Sequence, residues 1–89
     1  MELVVGKSLL INFINATGVI STVDVTFSGR SCTIGPEVCY ELVRTTPLSA
    51  DYKAKYPDVK ESYMLSGTYI KSHQPEWHQE LTAGETVTI

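Results

Sequence analysis

Apolar and polar residues alternate along most of this 89-residue chain, and helical spacing is nearly absent. Leu9, Ile11 and Phe13 share one side of an extended backbone, and so do Val23 and Val25 a few residues later. A period of two is typical of strands that are buried on one face only. The pattern therefore predicts two strands that follow one another along the chain.

A loop of three residues, Ala16 to Gly18, best joins these two strands. A loop of two residues would set apolar Ile11 opposite polar Thr22, whereas the three-residue loop keeps apolar groups on one face. Hairpins with three-residue loops also favour glycine in the left-handed conformation at the loop's end, where Gly18 stands. The predicted pairs are Asn15 with Val19, Phe13 with Ser21, Ile11 with Val23, and Leu9 with Val25.

The rest of the chain alternates short extended stretches with turn residues. In residues 37–45, Val38, Tyr40 and Leu42 face one way, while Cys39, Glu41 and Val43 face the other. The remaining predicted strands are residues 31–34, 61–72, 77–81 and 86–89, with turns at residues 28–30 and 82–85. The sequence therefore predicts a single mainly β domain over residues 1–89, a small antiparallel β-sandwich or barrel of six to seven short strands.

One segment, residues 46–58, breaks the alternation. Ser49 suits a helix N-cap, Asp51 suits the first turn of a helix, and Pro57 ends whatever helix began. We expect one or two helical turns there.

Composition and charge restrict the function. The chain is 43% hydrophobic and 19% charged with a net charge of −3, so it lacks the electrostatic footprint expected of a nucleic-acid binder. No apolar run approaches the roughly 18 residues of a membrane span. Acidic Glu2 stands where a signal peptide carries positive charge. We expect no membrane partner, and a location in a virion or in the cytoplasm.

Two cysteines, Cys32 and Cys39, lie close together in the sequence "CTIGPEVC". A four-residue loop from Ile34 to Glu37 would place them directly opposite each other, with Cα atoms about 4.5 Å apart. That separation suits a disulfide. A hairpin with two reduced thiols is an equal alternative. Catalytic redox use is disfavoured, because no Cys-x-x-Cys motif, basic neighbour or helix N-terminus is present to lower a thiol pKa.

The histidines of "HQPEWH", His73 and His78, add to the cysteines a superficial likeness to a Cys₂His₂ zinc site. Six residues separate the cysteines, which is too many for the tight turn that presents two sulfurs to zinc. We therefore predict no metal, no cofactor and, in the absence of any catalytic constellation, no enzymatic activity.

Tyrosines and lysines are interleaved from residue 52 to residue 63. Residues 44–71 carry five Lys or Arg and three Asp or Glu, whereas the remainder carries two and seven. Tyrosine is enriched at protein interfaces, and long connections are often functional. The alternative is that the tyrosines cap one end of the sandwich while the lysines are solvated. The interface candidates are Tyr52, Lys53, Lys55, Tyr56 and Tyr63.

The first functional interpretation is a non-enzymatic β domain that packs against other protein subunits, including copies of itself, in a larger assembly. A virion component, such as a capsid-decorating or tail-associated protein, fits a core this small, which needs outside support. The second is a monomeric carbohydrate-binding module in which Trp77 stacks on a sugar, although a lone tryptophan is more often a core residue. The third is a small inhibitor of another protein.

Overall fold

The computed structural model describes residues 2–14, 17–74 and 85–89, and these residues form six strands and two helices. The mainly β, sandwich-like fold predicted from the sequence is confirmed. The predicted strand at residues 77–81 and most of the turn at residues 82–85 lie outside the described residues. In chain order the elements are β1 (Glu2–Val4), β2 (Ser8–Ile14), β3 (Ile20–Ile34), β4 (Glu37–Arg44), α1 (Ala50–Lys55), β5 (Ser62–Ser66), α2 (Gly67–His73) and β6 (Thr86–Thr88).

The strands form two antiparallel sheets. Strands β2, β3, β4 and β5 make the larger sheet in that order, so β2 and β5 are its edges. Strands β1 and β6 pair in the smaller sheet, with Leu3 opposite Val87. Successive strands of the larger sheet are also neighbours in space. Short turns join β2 to β3 and β3 to β4, whereas a longer connection that contains α1 joins β4 to β5.

The hairpin of β2 and β3 has the predicted register over its described pairs, whereas the predicted pair of Asn15 with Val19 includes a residue outside the described ones. Leu9 lies opposite Val25, Ile11 opposite Val23 and Phe13 opposite Ser21. Gly18 has φ of 83°, the left-handed conformation that the loop requires. Alternation therefore determined which face of this hairpin is buried, and Leu9, Ile11 and Val25 are all fully buried.

Strand β3 differs from the prediction, because the residues expected to form a turn, 28–30, lie within one 15-residue strand. Phe27 pairs with Leu42 and Ser31 with Tyr40, so three residues of β3 oppose a single residue of β4. Gly29 has φ of 91°, and this bulge lets the strand bend without leaving its partner. Residues 28–30 do mark an irregularity, the bulge. The strand stays continuous because β3 pairs with β4 both before and after these residues.

The predicted strand at residues 61–72 is also wrong beyond Ser66, because helix α2 begins there. The Ser66 side chain accepts a hydrogen bond from the Tyr69 N–H at 3.1 Å and caps the helix. Ile70 of this helix is fully buried. The segment predicted as one strand thus spans two different elements, β5 and α2.

Helix α2 packs on β2, β4 and β5 and completes the core. Tyr40 and Leu42 belong to this core, whereas Val38, predicted on the same face, lies beyond it and is 46% exposed. The buried cluster consists of Leu3, Leu9, Ile11, Val25, Phe27, Tyr40, Leu42 and Ile70.

Candidate protein-interaction surface

Helix α1 forms in the segment predicted to be helical. The Ser49 hydroxyl accepts a hydrogen bond from the Tyr52 N–H at 3.1 Å, and Asp51 lies in the first turn. No residue of α1 is buried. The helix is therefore held by its cap and its flanking loops rather than by packing of an apolar face.

Two tyrosines stand on this helix and its end. The rings of Tyr52 and Tyr56, one helical turn apart, have centroids 4.9 Å apart at an interplanar angle of 46°. Their exposed fractions are 44% and 48%. Each ring thus partly supports the other, and together they present aromatic surface to solvent.

Two lysines flank the tyrosine pair and behave differently. The Lys55 Nζ lies 5.5 Å from the centroid of the Tyr56 ring, within the range of a cation–π contact. The Lys53 Nζ lies 2.7 Å from Oε1 of Glu61. That oxygen is shielded from solvent and makes no hydrogen bond of good geometry, so the nearby ammonium is what compensates its charge. Tyr52, Lys53, Lys55 and Tyr56 are hereafter called the α1 surface.

The chain after α1 is anchored to the sheet by Arg44. The Arg44 N–H donates to the Glu61 carbonyl at 2.7 Å. Its guanidinium Nε donates to the Lys60 carbonyl at 3.0 Å, and the Tyr63 hydroxyl donates to that same carbonyl at 3.0 Å. Through the Lys53–Glu61 ion pair this anchor also restrains the α1 surface.

Tyr63, the fifth interface candidate, is placed apart from the other four. It is half-buried on β5, and its ring stacks on Phe13 with centroids 4.7 Å apart. The structure therefore brings four of the candidates together on α1 and assigns Tyr63 to packing between strands.

The two cysteines are directly opposite each other and both are free thiols. The loop that joins β3 and β4 contains two residues rather than the predicted four, because Ile34 already pairs with Glu37. Gly35 has φ of 59°, as the first loop position of such a hairpin requires.

This shorter loop changes the geometry expected of the cysteine pair. Pairs alternate in type along an antiparallel ladder, so Cys32 and Cys39 belong to the same hydrogen-bonded type as Ile34 and Glu37. Their Cα atoms are then about 5.5 Å apart rather than about 4.5 Å.

The environments of the two thiols differ. Cys32 is exposed and Cys39 is buried. Burial raises the pKa of the Cys39 thiol above its ordinary value, and the neighbouring Cys32 and Glu37 raise it further. Cys39 therefore favours its neutral form.

A groove that the sequence did not indicate lies between the β3–β4 turn and α2. Its volume is about 410 Å³, and its walls combine apolar groups with one cation and one carboxylate. Only the fold brings these residues together, since they come from three separated parts of the chain. The lining residues are Pro36, Glu37, Val38, Tyr40, Gly67, Thr68, Lys71 and Ile89.

The structure describes only one of the three further residues considered from the sequence, His73, Trp77 and His78. Trp77 and His78 lie outside the described residues. His73 lies on α2, where its ring stacks on that of Tyr69 with the ring centroids 3.8 Å apart. In the described ranges no three His, Cys, Asp or Glu side chains are placed to bind a metal ion together. No helix found in those ranges is long and apolar enough to cross a membrane.

The described residues thus define a small antiparallel β protein with an exposed aromatic and basic helix. No protein family, curated protein or solved structure matches the chain.

Proposed function

We propose that this protein is a non-enzymatic interaction module that binds another protein subunit through the α1 surface. The observation that carries the proposal is that Tyr52 and Tyr56 form an exposed aromatic pair on a helix with no buried residue. A helix whose apolar face does not pack is unusual, because helices in proteins owe most of their stability to such packing.

The chemistry of the α1 surface favours a partner with acidic groups beside an apolar patch. Tyrosine supplies a large contact area at a low cost in side-chain entropy. Lys55 stands over the Tyr56 ring, so an incoming carboxylate would meet a cation already placed at the edge of the aromatic patch. Lys53 is already paired with Glu61, which makes Lys55 the more effective of the two for a partner.

A second copy of this chain is the partner that its own charges favour. Residues 44–71 carry two more basic than acidic residues, whereas the remainder carries five more acidic than basic residues. The more basic segment of one copy therefore has the opposite net charge to the remainder of another copy, which favours head-to-tail contacts, and such contacts build rings or longer assemblies. That the assembly is a virion stays a prediction from the sequence profile.

The test compares the double variant Tyr52→Ala/Tyr56→Ala with Ile34→Ala, which removes exposed apolar surface beside the β3–β4 turn, at the opposite end of this strand pair from Arg44. Native mass spectrometry and sedimentation velocity over a wide concentration range should show oligomers of the parent chain and of Ile34→Ala. The tyrosine variant should be monomeric with unchanged circular dichroism. A parent chain that stays monomeric throughout would rule out the second copy as partner. Equal association of both variants would rule out the α1 surface.

A further inference from the structure

We propose that Cys32 is a thiol-modification site for small disulfides such as oxidised glutathione, and that Cys39 resolves the adduct into a reversible cross-strand disulfide. Both cysteines lie on the β3–β4 hairpin, which contains no residue of the α1 surface.

Accessibility decides the order in which the thiols react. Cys32 is exposed, whereas Cys39 is only 6% exposed. A dissolved disulfide therefore meets Cys32 first. Strand β4 lies between β3 and β5, and Cys39 pairs with Cys32 on one side and with Ser66 on the other. The sulfur directly opposite Cys39 is therefore that of Cys32.

The register of β3 and β4 allows Cys39 to displace glutathione from Cys32 within one chain. Side chains opposite each other in an antiparallel pair project from the same face of the sheet. The hydrogen-bonded pair spaces the Cα atoms at about 5.5 Å, inside the range that disulfides accept. In this type of pair the side chains are farther apart than in the other type, so the bridge forms with some strain. Strained, accessible disulfides are the labile ones, which makes the cross-link reversible.

The chemistry is thiol–disulfide exchange in two steps. The Cys32 thiolate attacks one sulfur of oxidised glutathione, forms a mixed disulfide and releases one glutathione thiolate. The Cys39 thiolate then attacks Sγ of Cys32, forms the Cys32–Cys39 bond and releases the second glutathione thiolate. Two electrons pass from the protein to glutathione, and the two protons of the cysteine thiols end on the two released glutathione molecules.

The pKa of Cys39 determines the rate of the second step, and the residues between the two cysteines determine which part of the fold the disulfide restrains. The raised pKa of Cys39 keeps its thiolate scarce at neutral pH, so resolution becomes faster as the pH rises. The residues between the cysteines include Pro36, Glu37 and Val38, which form one wall of the groove. The disulfide therefore joins the two strands on either side of the β3–β4 turn and restrains the turn that forms the wall.

The experiment exposes the full chain to buffers of reduced and oxidised glutathione, followed by acid quenching, alkylation and intact mass measurement. The parent chain should lose two hydrogens and retain no glutathione. Cys39→Ser should accumulate one glutathione on Cys32, and Cys32→Ser should react at least about tenfold more slowly, because its remaining thiol is buried.

A matched control moves the exposed thiol by one residue. In Cys32→Ser/Thr33→Cys the new thiol occupies another exposed position but projects from the opposite face of β3. This variant should take up glutathione and should not close onto Cys39. The proposal is overturned if the parent chain keeps both thiols, retains glutathione on Cys32 or forms covalent dimers. Closure of the displaced variant at the parent's rate would overturn it as well.

Discussion

Phe13 on β2 and Tyr63 on β5 stack with their ring centroids 4.7 Å apart, although these strands are the two opposite edges of the larger sheet. The sheet must therefore curl until its edges approach each other. Tyr69 of α2 continues the contact, with its ring centroid 6.1 Å from that of Phe13. Together with the packing of α2 on β2, β4 and β5, this stack closes the open side of the sheet over the core.

A double-mutant cycle measures how much this closure contributes. Replacing Phe13 and Tyr63 with leucine, singly and together, should reveal a coupling free energy of about 0.5–1.5 kcal/mol, the usual value for aromatic pairs. Urea denaturation followed by circular dichroism gives the four unfolding free energies. Tyr63→Phe is the control: it keeps the ring but loses the hydrogen bond to the Lys60 carbonyl, at a cost of about 1 kcal/mol. Strictly additive leucine substitutions would show that the stack contributes no coupling free energy to the closure.

The bulge in β3 makes Gly29 more sensitive to substitution than Gly18. Both have positive φ, at 91° and 83°, so alanine is strained at either position. A Cβ at Gly29 would also lie 3.3 Å from Cγ1 of Val5, whereas a Cβ at Gly18 would meet nothing within 4 Å. Gly18→Ala should cost about 1–2 kcal/mol of unfolding free energy, and Gly29→Ala clearly more. Thermal and urea denaturation check the order, and equal losses would mean that Val5 moves aside freely.

The two serine caps should differ in their effect on global stability. Ser66→Ala removes the cap of α2, which carries buried Ile70, so unfolding should become easier by about 1 kcal/mol. Ser49→Ala removes the cap of α1, which buries nothing, and should leave global stability almost unchanged. Hydrogen exchange should instead show faster exchange of the α1 amides in that variant. A global loss of equal size in both variants would mean that α1 unfolds only with the sheet.

Alkaline pH should weaken the fold through Cys39. Its pKa in the folded chain is raised above the ordinary value of 9.0 by burial, by Cys32 and by Glu37. The folded chain therefore holds the thiol proton more tightly than the unfolded chain does. This contribution to stability is complete below pH 9.0 and is lost as the pH rises through the folded pKa.

The measurement is the difference in unfolding free energy between the parent chain and Cys39→Ala, followed under reducing conditions from about pH 7 to about pH 11. Other titrating groups largely cancel in this difference. The advantage of the parent chain should be constant at neutral pH and should decrease above about pH 9. A difference that stays flat, or that grows with pH, would contradict a raised pKa at Cys39.

The sequence by itself determined the local features of this protein. A strand buried on one face must alternate, and a one-residue slip would turn Leu9 and Ile11 toward solvent, so the register of the first hairpin was predictable. The predicted four-residue loop also placed Cys32 opposite Cys39, as in the structure. The Ser49 cap was predictable because it depends on groups within one turn of helix. The length of the loop around Gly35 and Pro36 was not predictable, because a loop of two residues and a loop of four residues both set Cys32 opposite Cys39.

Only the tertiary structure decided how these elements meet. Residues 28–30 resemble a turn, but pairing with β4 on both sides keeps β3 continuous through the bulge. Burial of Ile70 against the sheet favours helix α2 where alternation suggested a strand. Curling of the sheet brings Phe13 to Tyr63 across most of the sequence. The physical reason is common to all three: each outcome depends on contacts with another segment of the chain, either backbone pairing or burial of apolar surface, which no local pattern contains.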